Sequence, residues 1–291
     1  MPNALHLWDP THLSFMIDLG VAFLLGLVHG ITPDEHTWPI TFSYAVGGYS
    51  MRRGMRAGFI FSLAFAAQCA LASELAFLGL AHWQNYARFE YTIDIVVGIA
   101  MATAGWFVRG RAIPLFSASQ RRDKAALRDP DPWMPAIHGF VAGWGVGPFT
   151  VILYTALAPA MPSAATGWLP GLVFGLGTLL IQAGAGAAIG AWLSSRHLPR
   201  SGIRQIGLAT AARTLSWGGC AFLLYGIFGV AFPHAGTWAV TTPIPVPNLH
   251  VLGIPFLLLI ATVMGVGVTS LITATRRWVR DCAMTTVAST D

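Results

Sequence analysis

An all-α, polytopic membrane fold is what the sequence predicts. It has about seven transmembrane helices (six to eight), as inverted three-helix repeats with broken first helices plus an extra C-terminal helix. Three observations predict it. Of the 291 residues 55% are hydrophobic and only 10% charged, apolar stretches recur along the whole length, and basic residues gather in alternate loops. A soluble domain carries about 25% charged residues, so this chain has too little charge to cover a water-soluble globule. That excludes a soluble enzyme and most nucleic-acid binders.

A spanning helix needs roughly 20 apolar residues. The candidate segments are 13–48, 57–82, 91–109, 133–160, 168–193, 207–232 and 250–275, of which 13–48 and 133–160 are interrupted. The net charge of +5 and pI near 9.5 come from residues between them. Arg52, Arg53 and Arg56 precede the second segment. Arg109, Arg111, Arg121, Arg122, Lys124 and Arg128 follow the third. Arg196, Arg200 and Arg204 follow the fifth, and Arg276, Arg277 and Arg280 occupy the tail. Only Arg88 and Arg213 fall elsewhere. The positive-inside bias makes these four stretches cytoplasmic, with 83–90, 161–167 and 233–249 on the other face. The expectation is a multi-pass protein of the cytoplasmic (inner) membrane, with its N-terminus outside and its C-terminus cytoplasmic. The start, MPNALHLWDPTHLSF, lacks the basic n-region of a cleavable signal peptide.

The chain then divides into an N-terminal membrane repeat (1–109), a basic cytoplasmic linker (110–132), an inverted C-terminal repeat (133–232), a Pro-rich outer loop (233–249) expected to be extended, and a last helix with its tail (250–291). Segment 13–48 would reach ~54 Å as one helix, too long for a single straight crossing. Both interrupted segments carry a His-Gly pair, GLVHGITP at 26–33 and AIHGFVAG at 136–143, and they enter from opposite faces. Broken helices in inverted repeats meet near the midplane and form transport sites.

The densest chemistry lies in His29-Gly30-Ile31-Thr32-Pro33-Asp34-Glu35-His36. Ionisable groups inside a bilayer are expensive and persist where they have a partner or a task. Pro33 and Pro39 cannot donate to the carbonyls of His29 and Glu35, so backbone oxygens are left beside imidazole and carboxylate. Such a donor set suits a divalent transition metal. The candidate ligands are His29, Asp34, His36 and His138, with Glu35, Glu74 and Asp18 as additional candidates. The plainer readings stand beside them. Thr32-Pro33-Asp34-Glu35 also fits a capping box with Thr32 as N-cap and Pro33 as first helical residue, and Asp34 would then complement the helix dipole. His138 is either an interfacial side chain or a ligand of the second half. Glu74 is either a relay or a buried hydrogen-bond partner, and Asp18 marks a possible cation entrance. The glycines of HGFVAGWGVGPFT allow close helix packing, and Pro148 breaks that segment.

The first stretch resembles the nickel/cobalt transporter families, including urease-accessory-type and sulfite-exporter-like permeases of the amino-acid-exporter-like superfamily. Those carry His, four residues, then Asp-His; here Glu35 stands between Asp34 and His36. His138-Gly139-Phe140-Val141-Ala142-Gly143 is similar to the His-Gly-Leu-Ala-Gly motif of the urease-accessory-type members. The resemblance implies inverted three-helix repeats, metal-ion permeation, and ligation by His29, Asp34 and His36.

The leading expectation is a carrier for a divalent transition-metal cation, nickel or cobalt favoured, with the metal as substrate and no nucleotide. Its partners would be the lipid bilayer, the metal ion, and either further copies of the chain or a metalloenzyme-maturation protein; no nucleic acid is expected. An anion exporter of the sulfite type is an alternative, as is a membrane redox or haem-binding protein. Cys69, Cys220 and Cys282 are far apart and form no CxxC, which disfavours thiol relay. A zinc hydrolase is weaker still, because His29 and His36 are not spaced as in HExxH.

Overall fold

The computed structural model describes residues 15–32, 37–48, 50–79, 86–117, 133–145, 147–195, 199–236 and 238–288. Helices α1 (Phe15–Ile31) and α2 (Trp38–Gly48) share the first apolar segment. Thr32 closes α1: its N–H and its hydroxyl both donate to the Val28 carbonyl, each at 2.8 Å. That bond seats its hydroxyl at the end of α1; Pro33, Asp34 and Glu35, the rest of the capping-box reading, lie outside the described residues. In α2 the Thr37 carbonyl accepts from the Thr41 N–H at 2.9 Å, and Pro39 sits in the first turn, where its missing donor is harmless.

Helix α3 (Met51–Phe77) is capped by Ser50, whose side chain accepts the Arg53 N–H at 3.3 Å. It begins at Met51 instead of at 57, so Arg52, Arg53 and Arg56 ride on its first turns. Long arginine stems let the guanidinium reach polar surroundings while the backbone stays helical. Gly79, with φ +75°, follows the C-cap Leu78 in the left-handed conformation that turns the chain away. Helix α4 (Tyr86–Ser117) likewise continues past 109 into the stretch read as a linker.

The second broken unit is α5 (Trp133–Ala142) followed by α6 (Pro148–Ile152). Gly147 is the N-cap of α6 and Pro148 its first residue, the one helical position that proline favours. A π-helical turn, Leu153–Leu157, continues it, with the Ala158 N–H donating to the Leu153 carbonyl at 2.9 Å. Helices α7 (Leu169–Ser194) and α8 (Arg200–Ala231) follow. The loop expected to be extended instead folds locally: α9 (Pro233–Gly236), strand β1 (Ala239–Thr241), α10 (Pro247–His250) and strand β2 (Val251–Gly253). The strands pair antiparallel with Val240 opposite Leu252, and Pro243, Pro245 and Pro247 all lie between them, where no ladder donor is needed. Helix α11 (Ile254–Ile260), a π-helical stretch (Ala261–Val268) and α12 (Thr269–Ala288) complete the chain.

Small residues set the packing, because lipid-embedded helices associate by close van der Waals fit and not by expelling water. Helix α3 runs antiparallel to α7: a Cβ on Gly54 would strike the Gly186 carbonyl, one on Gly186 the Gly54 carbonyl, and one on Gly171 the Cys69 carbonyl. Helix α4 runs antiparallel to α8 with Gly98 and Gly219 interlocked. Helix α1 lies along α7, with Gly26 on the Phe174 carbonyl, and α5 lies along α3, with Gly139 on the Phe61 carbonyl. Gly190 against Ser50, Gly207 against Val46 and Gly202 against Trp278 bring the Arg-bearing ends of α3, α8 and α12 to one end of the bundle.

Among the described residues five helices are long and apolar enough to cross a membrane: Met51–Phe77, Phe89–Arg109, Leu169–Ser194, Ser201–Ala231 and Ile254–Arg280. Phe15–Ile31 and Pro148–Leu157 are shorter apolar helices. Leu24, Leu63, Leu180, Leu224 and Met264 are exposed on the outside, as a lipid-facing surface requires. The chain is an all-α multi-pass membrane protein.

Candidate functional site between two helix breaks

His29 occupies the last turn of α1 and is 5% exposed. Its ring stacks on Phe65 of α3 at 5.7 Å between centroids, meets Phe149 of α6 edge-on at 5.6 Å, and lies 5.2 Å from Phe174 of α7. Four elements therefore converge on one imidazole. Beside it is a cavity lined by His29, Phe65, Ala142, Gly145, Gly147, Phe149 and Thr150, with room for about one water-sized particle. Its wall is the break between α5 and α6, so the end of α1 faces the interruption of the other broken unit. The Thr150 hydroxyl donates to the Gly147 carbonyl at 2.9 Å and reaches the Gly145 carbonyl at 3.3 Å, which fixes the loop.

Asp34, Glu35 and His36 lie outside the described residues. His138 is on α5, one turn before the cavity-lining Ala142. Its Nδ1 lies 3.0 Å from the Tyr44 hydroxyl of α2 and 2.9 Å from the Met134 carbonyl, and its ring also approaches the Ala100 backbone of α4. The structure thus gives His29 and His138 different neighbours: a phenylalanine cage for the first, a tyrosine for the second.

Asp18, in the first turns of α1, is 2% exposed, and its Oδ1 has no hydrogen-bond partner among the described residues. Glu74, in the last turn of α3, points a buried Oε2 toward Gly167, whose added Cβ would lie 2.6 Å away. Among the described residues neither carboxylate accepts from a neighbouring serine or threonine; Ser73 donates instead to the Gly167 carbonyl at 2.6 Å. Arg213 donates to the Thr273 hydroxyl at 3.3 Å. Among the described residues no three His, Cys, Asp or Glu side chains gather closely enough to hold a metal ion.

Sequence reasoning missed the phenylalanines, Tyr44 and Thr150. Each is an ordinary membrane residue by composition, and the cage forms only when distant segments pack. Thr178 of α7 was equally silent; it and Gln182, a polar residue that stands out within an apolar segment, donate to the carbonyls of Gly26 and Gly30 at 3.1 and 3.3 Å, tying α7 to the end of α1.

No known protein family, curated protein or solved structure matches the chain.

Proposed function

We propose that this chain is a transporter moving a divalent transition-metal cation, nickel or cobalt favoured, through the space where the two broken helical units meet. The observation that carries the reading is His29: a buried imidazole at the end of a broken helix, lining a particle-sized cavity against a second break. Imidazole is a good ligand for such ions, and the aromatic faces around it favour positive charge. Asp34 and His36, a few residues beyond, would complete the donor set, with Asp18 and Glu74 lending negative charge toward the other end of α1 and α3. A haem plane is a poorer fit, since His29 is hemmed in by three phenylalanines.

An inverted repeat supports transport by rocking of two halves. Gly26 meets the Phe174 carbonyl as Gly139 meets that of Phe61, and Gly30 meets Ile181 as Gly143 meets Gln68. The interval from Gly26 to Gly139 is the same as from Phe61 to Phe174, Gly30 to Gly143, and Gln68 to Ile181. Reciprocal contacts at constant spacing are what a two-fold relation between halves produces. In this register His29 corresponds to Ala142, and His138 to Leu25. The two His-Gly pairs are therefore offset by one helical turn, and the site is one-sided: His29 is at the centre and His138 stands one turn away. The Arg-bearing end of the bundle is read as cytoplasmic.

The test is metal flux into liposomes holding purified protein, wild type against His29→Ala and Asp34→Asn. Both variants are expected to lose at least tenfold in rate. Undiminished flux of every first-row divalent ion in folded His29→Ala would overturn the reading.

A further inference from the structure

A glutamine from the neighbouring helix packs against the end of α1, and another against the loop between α5 and α6. Gln182 of α7 donates through Nε2 to the Gly30 carbonyl in the last turn of α1. Gln68 of α3 lies on Gly143, between the cavity-lining Ala142 and Gly145, so closely that an added Cβ there would overlap its Oε1. Both side chains are 0% exposed. Gln68 has neither amide atom hydrogen-bonded, and Gln182 has its Oε1 unbonded, among the described residues.

Glutamines commonly join membrane helices as interhelical hydrogen-bond donors, and that accounts for Nε2 of Gln182. It does not account for the oxygens. A buried amide without a partner is unfavourable even inside a protein, and more so where no water is at hand. The Gly30 bond also fixes the polarity of Gln182, because a nitrogen that donates leaves the oxygen as the free end. What remains beside the end of α1 is an acceptor, which suits a cation or its bound water and repels an anion. On α3, Phe65 lines the cavity and Gln68 follows it nearly one turn later, on the side of the α5 break.

We infer that the side-chain amide oxygens of Gln68 and Gln182 contact the transported cation at successive points of its path, Gln182 beside the end of α1 and Gln68 beside the α5 break, as oxygen donors at different levels from the His29 imidazole. The inference rests on the transport reading above and deepens it. Such neutral oxygens would replace part of the ion's water shell along its path without adding fixed charge, so the ion is held yet still released. They also make the site one of mixed nitrogen and oxygen character, which sets which divalent ions it prefers.

The experiment is equilibrium binding of Ni²⁺ and Co²⁺ to purified full-length protein in lipid nanodiscs, together with flux and thermal melting. Gln68→Leu and Gln182→Leu are each expected to weaken binding at least tenfold; Gln68→Leu should melt close to wild type, and Gln182→Leu modestly lower because it also loses the bond to the Gly30 carbonyl. Gln68→Glu, which keeps an oxygen acceptor at the same reach, is expected to bind within threefold of wild type or tighter. Binding within twofold of wild type in both leucine variants, with His29→Ala deficient, overturns this inference and leaves the transport reading standing. Lowered melting with unchanged affinity of the folded protein also overturns it, since that is what a purely structural amide would show. Should a leucine variant not fold, Gln68→Asn and Gln182→Asn draw the amide back by one methylene: a tenfold loss supports the contact, and affinity within twofold overturns it. A wild-type protein that neither binds nor moves a divalent ion overturns both readings together.

Discussion

The Tyr44 hydroxyl lies 3.0 Å from Nδ1 of His138, joining α2 to α5 across the two halves of the chain. The same nitrogen lies 2.9 Å from the Met134 carbonyl. In one tautomer Nδ1 accepts from the tyrosine; in the other it donates to the carbonyl. This pair stands one turn from the cavity wall at Ala142, toward the Arg-bearing end. Tyr44→Phe removes one buried hydrogen bond, for which about 1 kcal/mol of stability is expected to be lost. On the proposed function ion affinity should stay within twofold while flux slows severalfold, because the pair joins moving halves and does not hold the ion. A tenfold fall in affinity would instead make His138 a ligand.

Close helix approach gives a second expectation, on stability. An added Cβ at Gly26 or Gly139 overlaps a backbone carbonyl oxygen of the neighbouring helix, which cannot swing aside as a side chain can. Gly26→Ala and Gly139→Ala should each cost about 1–3 kcal/mol. Gly20, on the same helix α1, has nothing within 4 Å of an added Cβ, so Gly20→Ala should be neutral or stabilise by roughly 0.5–1 kcal/mol. Thermal melting in one lipid composition orders the three. Equal costs at Gly26 and Gly139 are expected if the halves are related; an unchanged melting temperature at either would break the proposed equivalence.

These contacts also separate what the sequence made legible from what it did not. Membrane class was legible because it depends on composition, and the break before Pro148 because proline acts on its own neighbours. His29 could be singled out since an imidazole among Leu, Val and Gly is locally anomalous. Its surroundings could not, because Phe65, Phe149 and Phe174 come from three segments with no shared local signature. The membrane segment ending at Arg109 was legible, but the helix around it runs on to Ser117, and α3 starts at Met51, because apolar content stops before the helical backbone does. The register of the proposed repeat has two readings for a related reason. Matching His29-Gly30 to His138-Gly139 follows residue identity, whereas the close contacts follow Gly26 and Gly139, one turn over.

Cys69 separates ion transport from thiol chemistry. It is fully buried on α3 in the cluster that also holds Phe65, Phe149 and Phe174. A membrane relay of reducing equivalents would depend on it, whereas a carrier built on imidazole and amide would not. Cys69→Ser nearly preserves shape and keeps a group that can bond the Tyr154 hydroxyl beside it, so flux is expected within twofold of wild type, with at most a modest fall in melting temperature from the more polar side chain. Loss of activity in a folded Cys69→Ser protein would favour the redox alternative.

Orientation in the membrane rests on a count of arginines and can be checked at the two ends of α7. That helix, Leu169–Ser194, is 26 residues long, about 39 Å at 1.5 Å per residue, which exceeds a hydrocarbon core of roughly 30 Å. Its ends should therefore lie on opposite faces. Ala164 is exposed ahead of its first turn and Ser195 exposed after its last. In a background carrying Cys69→Ser, Cys220→Ser and Cys282→Ser, Ala164→Cys should react with a membrane-impermeant maleimide added to intact cells. Ser195→Cys, on the side of Arg200 and Arg204, should react only after the cells are opened. Labelling of both from outside would mean that α7 does not span; a reversed pattern would place the Arg-bearing end outside. In the reversed case the positive-inside argument fails for this chain, and Asp18 and Glu74, carried toward the opposite end, would then face the cytoplasm.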